Sequence, residues 1–518
     1  MRGRCGPCCG GAGVDAHGSV HIGSAGRLAV SRHIPIVEEA LRDAHQCLWS
    51  TRMTNEMMLP VAERMDAVGY DAMDLIGGAV WDVSIRFLLE DPWERIRHMR
   101  KLVTKTPLNA WVRGQSLWAF EIFPDDVVEL AMERLAANGI RRATIYDHIN
   151  DMEGLQVVVN KAVQVGLEVS GALVFTLSPV HTDEHFADRA AEFVRMGATE
   201  VVIKDPSGLL SVERIRTMGP ALKKAIGNAA LNLHTHCMTG RAPDVLLESV
   251  DYEMDKVHCA ISPLAHAASH SPTEWINEKL IKKGFSTGLD VELLDEIADY
   301  FHFVARRWDK PVGAPVAFDP RVLEHQMPGG MISNLASQLG TIGLEHRLDE
   351  VLDEMGQVRR ELGYLPIVSP SAQFIATQSV LNLVQGERYK TIPDELQKYI
   401  LGYYGRPPAP IDQDLVDRVA KKSSDVVTGP SGSHVPPVLD KIRKERGPFK
   451  SDDDLLLAAM YPDEIIQPLF EAREKADYTR FYRAHTPVEY LLKEVKSRPD
   501  LRRFEVSKGD DFNVAHAN

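Results

Sequence analysis

The sequence has no apolar run that approaches the roughly 20 residues of a membrane-spanning helix. It also has no excess of positive charge, since 59 lysines and arginines stand against 73 aspartates and glutamates, a formal net charge of −14. An acidic balance of this size disfavours nucleic acid and anionic membrane surfaces as partners. We therefore expect a protein that has no membrane-spanning segment and does not bind nucleic acid.

Cysteine is scarce, with six in 518 residues. Three of them, Cys5, Cys8 and Cys9, crowd into a Gly-rich N-terminus where no second Cys/His pair completes a four-ligand metal site. This N-terminus also lacks the apolar core of a signal peptide. We expect residues 1–32 to form a disordered extension, and the protein to be cytoplasmic with reduced cysteines.

What the chain does have is a regular alternation of short apolar runs with amphipathic helical segments. The predicted strands are IPIVEEALRD, YDAMDLIGG, LNAWVRGQ, RATIYDHIND, VSGALVFTLS, EVVIKDPSG, AALNLHTHC and KVHCAISPLA. Helical segments lie between them, and several end in glycine, which helix C-termini favour. Eight β–α units predict an α/β fold, a TIM (β/α)8 barrel, over residues 33–310.

Beyond residue 310 the pattern becomes mainly helical. The segment RLDEVLDEMGQVRREL places a set of apolar residues on one helical face: Leu348, Val351, Leu352, Met355 and Val358. A Ser/Gly/Pro-rich stretch near residues 421–438 predicts a linker. We expect a mainly helical C-terminal domain over residues 311–500, followed by a disordered tail over 501–518.

Polar residues lie at the carboxyl ends of several of the predicted strands. Active sites of TIM barrels lie where strands end and the following loops begin. The candidates at these positions are Asp43, Arg113, Asp147, Lys204, His234 and His236. The last two are separated by one residue, and such side chains project to the same side of an extended chain. This spacing suits either two ligands of one divalent cation or two unrelated polar residues near a strand end.

Seven motifs carry a resemblance to a known family over about residues 35–480. They are LRDAHQ, GGAVWDVSIRFLLEDPWERIR, VRGQ, VIKDPSGLL, LHTHCMTG, HQMPGGMISNL and SPSAQFIATQ. In this order they resemble the carboxyltransferase component of biotin-dependent enzymes, such as pyruvate carboxylase and the oxaloacetate decarboxylase α subunit. HTHCMTG, together with ASHSPTEW, is most similar to the 5S subunit of transcarboxylase.

The resemblance implies an activity and an architecture. The chain is expected to move a carboxyl group between biotin, carried by a separate protein, and a 2-oxo acid such as pyruvate or oxaloacetate. The helical domain after residue 310 is expected to form a funnel through which biotin enters. The resemblance also implies a homodimer.

The resemblance further implies a metal site formed by Asp43, Lys204, His234 and His236. In the family the lysine carries a carboxylate derived from CO2. The lysine must be uncharged to take up CO2, and burial beside a cation lowers a lysine pKa. Two nitrogen and two oxygen donors suit Zn²⁺, with Mn²⁺ or Co²⁺ as alternatives.

Residues that bind substrate are also implied by the resemblance. Arg113 matches the arginine that binds the substrate carboxylate, and Gln46 matches a residue that hydrogen-bonds the substrate. Arg42 and Asp82 match residues that brace the pocket. Ser369, in VSPSA, takes the position of a hydroxyl residue, usually threonine, that moves a proton between the substrate methyl group and biotin.

The sequence departs from the family pattern in the pocket wall. Phe120 stands at a tyrosine position, Thr144 replaces an arginine, and IKDPSG appears where IKDMAG is usual. The implied metal ligands are intact. The departures leave the identity of the oxo acid open.

The sequence contains neither an MKM-type biotin attachment site nor the Gly-rich ATP-grasp segments of a biotin carboxylase. We therefore expect a separate biotin carboxyl carrier protein and a biotin carboxylase, or another carboxyl-donor subunit, as partners. Two alternatives stay open. One is a non-catalytic scaffold subunit that lost activity with Phe120 and Thr144. The other is a metal-dependent acyl-CoA condensing enzyme or lyase, whose barrels share the aspartate and the histidine pair but lack the lysine at position 204.

Overall fold

The computed structural model describes residues 32–421, 426–482, 495, 498, 503–508 and 512–517. The predicted N-terminal extension therefore lies outside the described residues, apart from Arg32. Eight parallel strands form a closed barrel in which each strand pairs with its sequence neighbours and β1 pairs with β8. This arrangement confirms the predicted TIM barrel.

The barrel strands are short and almost entirely buried, because helices cover their outer faces. They are β1 (Ile36–Glu38), β2 (Ala72–Ile76), β3 (Leu108–Arg113), β4 (Arg142–Tyr146), β5 (Glu168–Val174), β6 (Glu200–Asp205), β7 (Ala230–Thr235) and β8 (Lys256–Cys259). Their carboxyl ends share one face of the barrel, at which the polar side chains of the site collect.

The helices of the barrel region follow the predicted amphipathic segments. They are α1 (His45–Leu48), α2 (Asn55–Met58), α3 (Ala62–Ala67), α4 (Gly78–Val83), α5 (Pro92–Leu102), α6 (Asp125–Asn138), α7 (Gln156–Gln164), α8 (Asp183–Arg195), α9 (Val212–Ile226), α10 (Ala242–Ser249), α11 (Thr273–Lys282) and α12 (Val291–Arg307). Short 3-10 turns lie at Leu59–Val61, Gly114–Ser116, Glu153–Leu155, Cys237–Thr239 and Val250–Tyr252. α6 ends at Gly139, whose φ of 110° suits the left-handed position that glycine favours.

The first predicted strand is longer than the observed one. β1 ends at Glu38, and the chain then forms a π-helical turn over Ala40–Ala44, here called the β1 turn. A second π-helical turn spans Ser84–Leu88. Glu38 Oε1 accepts the backbone N–H groups of Ala40 (2.9 Å) and Ile261 (3.0 Å), which bends the chain out of the strand. Residues 40–44 therefore lie on a helical turn above β1.

The C-terminal region is mainly helical. Its helices are α13 (Val322–His325), α14 (Gly329–Thr341), α15 (Leu348–Glu361), α16 (Ser371–Gln385), α17 (Asp394–Ile400), α18 (Gln413–Ala420), α19 (Leu439–Arg446), α20 (Asp452–Met460) and α21 (Asp463–Lys475), with 3-10 turns at Glu345–Arg347 and Tyr478–Phe481. Among the described residues no helix has both the length and the apolar character needed to cross a membrane. Helices α14–α18 surround their own apolar core, which contains the predicted face of α15.

Helices α19–α21 pack against the barrel instead of joining that second core. Leu456 and Leu469 belong to the apolar core of the barrel. Asp453 on α20 accepts from Arg97 and Arg134, both at 2.7 Å. The helices that we expected to form one C-terminal domain thus divide between two cores, because the segment before α19 returns to the barrel.

The described part of the predicted linker, residue 421 and residues 426–438, passes from the second core, where the N–H of Val427 donates to the carbonyl oxygen of Leu401 (2.8 Å), to the barrel. Ser431 is buried. A Cβ added at Gly432 would lie 2.4 Å from the side-chain nitrogen of Gln115, so the backbone passes close over that residue. The N–H groups of Val438 and Leu439 donate to the carboxylate of Asp126.

Two segments of the predicted disordered tail, residues 501–518, lie among the described residues. Two antiparallel strands, β9 (Arg503–Lys508) and β10 (Phe512–Ala517), pair in a register that sets Val514 against Val506. The segments RFEVSK and FNVAHA have the apolar/polar alternation of strands.

The second core is attached to the barrel by hydrogen bonds at the end of β5. Gln326 Oε1 accepts from Thr176 Oγ1 (2.8 Å) and from the N–H of Leu177 (3.0 Å). Arg359 also donates to Thr176 Oγ1 (2.8 Å) and to the carbonyl oxygen of Leu177 (2.8 Å). These bonds hold the loop before α16 over the mouth of the barrel.

The wall between β5 and α8 leaves no room for a methyl group at Gly171. A Cβ at this position would lie 2.2 Å from the ring of Phe193. We expect Gly171→Ala to lower the free energy of unfolding by about 1–3 kcal/mol, because the core must shift to admit it. Calorimetric Tm measures this, and Gly340→Ala in α14, where a Cβ meets nothing within 4 Å, is the matched control. A Tm for Gly171→Ala no lower than that of the control would show that the wall can admit the methyl group.

Candidate metal centre and active site

Four polar side chains meet at the mouth of the barrel: Asp43, His234, His236 and His270. All four are buried. Asp43 Oδ2 lies 3.1 Å from His234 Nε2, 3.3 Å from His236 Nε2 and 3.7 Å from His270 Nε2. Their donor atoms all lie within 4.8 Å of one another, which is close enough for one cation to contact them together.

Different elements bring these side chains together. His234 lies in β7, and His236 directly follows the strand. The N–H of His236 donates to the carbonyl of Asp205 at the end of β6 (3.1 Å), which extends the ladder one step beyond the strand. Asp43 comes from the β1 turn and His270 from the loop after β8. The cluster therefore joins the first, seventh and eighth β–α units.

Hydrogen bonds at Nδ1 orient the two histidines of the HxH motif. His234 Nδ1 lies 2.9 Å from Glu39 Oε1, and His236 Nδ1 lies 2.7 Å from the carbonyl oxygen of Ala268. With Nδ1–H as the donor, the lone pair of each ring is at Nε2, which faces Asp43. Histidines that bind metals are oriented in this manner.

Arg42 holds the carboxylate of Asp43 in its charged form. Its Nη1 lies 2.9 Å from Asp43 Oδ2, and its Nη2 lies 3.7 Å from Glu39 and 3.6 Å from Asp74. Burial alone would raise the pKa of Asp43, but Arg42 and His236 hold that pKa well below its usual range. Burial and the neighbouring Glu39 raise the pKa of Asp74 well above its usual value. Arg42 thus braces the acidic side of the cluster.

Two imidazoles of the cluster, those of His234 and His270, are held in the neutral form. Burial, followed by the charge of Lys204, lowers the pKa of His234 well below its usual value. Burial and the neighbouring His236 lower the pKa of His270 to about 4. One carboxylate and neutral imidazoles are the protonation states that metal ligands need.

The residues present fit a divalent cation. The Nε2 atoms of His236 and His270 are buried and have no hydrogen-bond partner within the described part of the chain. A buried nitrogen lone pair that lacks a donor is costly, and a cation between the rings would satisfy both. The donor set of imidazole nitrogen and carboxylate oxygen is one that Zn²⁺ and related ions accept.

Lys204 reaches the same cluster from β6. Its Nζ lies 3.5 Å from His234 Nε2 and 3.9 Å from Asp43 Oδ2. The ammonium also lies 4.4 Å from the ring centroid of Trp111 and 5.7 Å from that of Tyr146. The structure thus brings Lys204 together with Asp43, His234 and His236, the residues expected from the sequence to be metal ligands.

Arg113 ends β3 beside the cluster. Its Nε donates to the hydroxyl of Tyr146 (3.3 Å), and its Nη1 donates to the carbonyl of Ala119. Its guanidinium carbon lies 5.5 Å from the ring centroid of Phe120, which is 52% exposed. The guanidinium is therefore fixed on two sides and borders an exposed aromatic ring.

Gln46 and Arg113 approach each other across Gly78. A Cβ at Gly78 would lie 3.5 Å from Arg113 Nη2 and 3.8 Å from Gln46 Oε1, and φ of Gly78 is +30°. Gln46 Nε2 donates to Asp43 Oδ1 (3.4 Å), whereas its Oε1 is buried with no hydrogen-bond partner among the described residues. Because glycine has no side chain, position 78 leaves space between Gln46, which contacts Asp43 of the cluster, and the guanidinium of Arg113.

Ser369 lies in the loop that covers the barrel mouth. Its hydroxyl accepts a hydrogen bond from Gln373 (3.0 Å). The preceding residue, Val368, packs with Trp111 and Tyr146 in a small apolar cluster at the carboxyl ends of the strands. Ser369 is half-buried at the edge of that cluster.

Two sequence candidates lie apart from the cluster. Asp82 forms an ion pair with Arg86 one turn later on the same helical segment (2.7 Å). Asp147 Oδ1 accepts the N–H groups of Ile149 (2.8 Å) and Asp151 (2.9 Å). Its carboxylate therefore orders the loop after β4.

Three residues of the site, His270, Glu39 and His258, were not predicted from the sequence. His270 lies in a loop without periodicity, although it belongs to the motif ASHSPTEW. Glu39 directly follows β1, and its Oε1 contacts the Nδ1 atoms of His234 (2.9 Å) and His258 (2.8 Å). A pair of glutamates directly after an apolar strand was the available signal for Glu39.

Comparisons with known proteins agree with this architecture. A family model described as a conserved carboxylase domain matches residues 322–509. The chain is 42% identical over 439 residues to a pyruvate carboxylase subunit of Methanocaldococcus jannaschii, covering 84% of this chain and 77% of that protein. It is 35% identical to the methylmalonyl-CoA carboxyltransferase 5S subunit of Propionibacterium freudenreichii subsp. shermanii, with coverage of 86% and 89%.

Solved structures give the same result. The carboxyl transferase domain of Rhizobium etli pyruvate carboxylase, solved with pyruvate and biocytin, superposes with a TM-score of 0.79 at 25% identity. The match covers 89% of this chain and 79% of that one. These relatives are named as carboxylases or carboxyltransferases, which disfavours the condensing-enzyme and scaffold alternatives. With its barrel, its buried Asp/His cluster and these relatives, the chain belongs to the carboxyltransferase family of biotin-dependent enzymes.

Proposed function

We propose that this carboxyltransferase moves a carboxyl group between biotin and a 2-oxo acid such as pyruvate or oxaloacetate, at a divalent cation bound by Asp43, His234 and His236. The observation that carries the proposal is the convergence of buried imidazoles on one carboxylate oxygen. The names of the pyruvate carboxylase relatives support the acceptor class.

The cation is Zn²⁺ in this proposal, with Mn²⁺ or Co²⁺ as alternatives. A cation held by these residues would supply Lewis-acid chemistry at the keto oxygen of the substrate. Asp43 supplies the negative ligand, and Arg42 keeps it charged and in place. Glu39 fixes the ring of His234 through the hydrogen bond at Nδ1.

Lys204 is carboxylated in this proposal. Its neutral amine forms an N–C bond with CO2 and loses one proton, which gives an anionic carbamate. The position of Nζ next to His234 and Asp43 supports this step, because an added carboxylate there extends toward the cluster. The carbamate also replaces the positive charge of the ammonium, which a nearby cation would repel.

Arg113 binds the carboxylate of the oxo acid, and Gln46 hydrogen-bonds the substrate from the other side of Gly78. The planar guanidinium matches a carboxylate with two parallel hydrogen bonds. Burial alone would raise the pKa of Tyr146, but Arg113 and Lys204 lower it. The Tyr146 hydroxyl thereby serves as a good acceptor that orients the guanidinium.

Ser369 moves a proton between the substrate methyl group and the ureido nitrogen of biotin. We expect Ser369→Ala to lower kcat by about 10²-fold, because general acid–base groups contribute this much or more. Ser369→Thr keeps the hydroxyl and is expected to retain most of the activity. The steady-state rate of biotin-stimulated decarboxylation measures both variants. Equal rates for Ser369→Ala and wild type would remove this role.

The carboxyl group comes from a biotin carboxyl carrier protein that is loaded by a biotin carboxylase or another donor subunit. Two of the relatives are named as single subunits, one of a pyruvate carboxylase and one of a methylmalonyl-CoA carboxyltransferase, which supports separate partner chains. Ser369 is half-buried on a loop between the barrel and the second core. This position supports the proposal that biotin enters through the helical region. The homodimer stays a prediction.

Biotin-stimulated decarboxylation of 3-carboxy-2-oxo acids tests the function. The purified chain is incubated with Zn²⁺, bicarbonate and free biotin, and a panel that includes oxaloacetate is screened for loss of CO2. We expect at least one member to turn over, at a rate that rises with biotin. No biotin-dependent turnover of any member would overturn the proposal and favour the scaffold alternative.

A further inference from the structure

We infer that His270 is a third imidazole ligand of the cation, so that Asp43 and three histidines hold it even when Lys204 is not carboxylated. This inference rests on the proposed metal-dependent function. The chain then has a metal centre in which carboxylation of Lys204 governs turnover and has little effect on whether the cation is retained.

The first support is the tautomer of His270. Its Nδ1 lies 3.2 Å from the carbonyl oxygen of Thr235, so Nδ1–H is the donor and the lone pair is at Nε2. His234 and His236 have the same arrangement, with Glu39 and the carbonyl of Ala268 as their acceptors. All three rings therefore present Nε2, and not Nδ1, to the same carboxylate oxygen.

The second support is the burial of Nε2 without a hydrogen-bond partner among the described residues. The side chain of His270 is fully buried, and its Nε2 lies 3.7 Å from Asp43 Oδ2. Its ring centroid lies 4.5 Å from that of His234 and 4.3 Å from that of His236. The neutral ring of His270 gains little stabilisation from contact with Asp43 alone. Its Nε2 lone pair would instead complete the set of ligands around a cation, together with Asp43, His234 and His236.

His258 serves as a comparison within the same barrel. It too is buried beside His234, and its Nε2 also has no hydrogen-bond partner within the described chain. However, its Nδ1 lies 2.8 Å from Glu39 Oε1, on the side of His234 that faces away from Asp43. His258 therefore belongs to the group that orients His234, whereas His270 faces the cluster itself.

The consequence concerns Lys204. One carboxylate and three imidazoles are one ligand more than the three that hold Zn²⁺ in most catalytic sites, and Zn²⁺ can expand to five ligands when substrate binds. Lys204→Ala is therefore expected to keep the cation while it lowers carboxyl transfer. His270→Gln, in contrast, is expected to weaken Zn²⁺ binding at least about 100-fold, since even residues outside the ligand shell contribute 10–100-fold.

X-ray absorption of the Zn²⁺-loaded full chain counts imidazole ligands directly. We expect three in the wild type and in Lys204→Ala, and two in His270→Gln. Zn²⁺ affinity is measured on the same samples by competition with a chromophoric chelator. His266→Gln is the matched control, because His266 lies on the same loop, is only half-buried and is absent from the cluster.

Two imidazoles in the wild type, with loss of the cation in Lys204→Ala, would overturn the inference and leave the proposed function standing. A wild-type chain that binds no Zn²⁺ would overturn both. The wild-type count needs no variant, so the test stays decisive even if His270→Gln does not fold. The melting temperature of the metal-free variants separates loss of the ligand from loss of the fold.

Discussion

Asp43→Asn is expected to remove the bound cation and to reduce carboxyl transfer by at least about 10³-fold, or roughly 4 kcal/mol in the barrier. The substitution keeps the volume of the side chain but exchanges the anionic ligand for a neutral amide. Asp43 Oδ2 is the atom that the Nε2 atoms of His234 and His236 face. Without its charge, the site loses a negative ligand right beside the positive charge of Arg42.

Zinc content after exhaustive dialysis and the biotin-stimulated rate measure this prediction. Asp251→Asn is the matched control, because Asp251 is exposed and pairs with Lys283 on the outer surface. We expect the control to keep one equivalent of cation and the wild-type rate. An Asp43→Asn chain that did the same would contradict the assignment of the site.

Arg113→Lys is expected to lower kcat/KM for the oxo acid by about 10²-fold, because one charge-assisted hydrogen bond contributes about 1.5–3 kcal/mol. Lysine keeps the positive charge but loses the planar fork that accepts a carboxylate at two points. It also loses the hydrogen bond from Arg113 Nε to Tyr146. The cation should stay bound, since Arg113 contributes no ligand to the cluster.

Steady-state kinetics together with zinc analysis separate this effect from that of Asp43→Asn. Arg141→Lys is the control, since Arg141 is exposed beside the start of β4, at the opposite end of the barrel. An unchanged kcat/KM in Arg113→Lys would mean that another group binds the substrate carboxylate. A loss of zinc would mean that the cluster depends on the guanidinium.

The barrel was predictable because its local patterns are strong. Parallel strands that are covered on both faces are continuous apolar runs, and α6 and α9 end at Gly139 and Gly227. The spacing of His234 and His236 was sufficient to predict that both side chains project to the same side, since side-chain direction alternates along a strand. Asp43, Lys204 and Arg113 followed from the family motifs, which are local in sequence.

The rest of the site depends on contacts between distant segments. His270 is 34 residues beyond His236 in the sequence, on a loop whose course no periodicity determines. The packing of α19–α21 against the barrel was missed for the same reason, because an amphipathic helix does not indicate which core its apolar face joins. The cytoplasmic location also stays a prediction.

Anomalous diffraction at the zinc edge, from a crystal grown with Zn²⁺ and bicarbonate, is the most direct test of the central claim. We expect one strong peak at the barrel mouth, about 2.0–2.2 Å from a carboxylate oxygen of Asp43 and from Nε2 of His234 and His236. An empty cluster, or a peak bound elsewhere while these three side chains contact only one another, would contradict it.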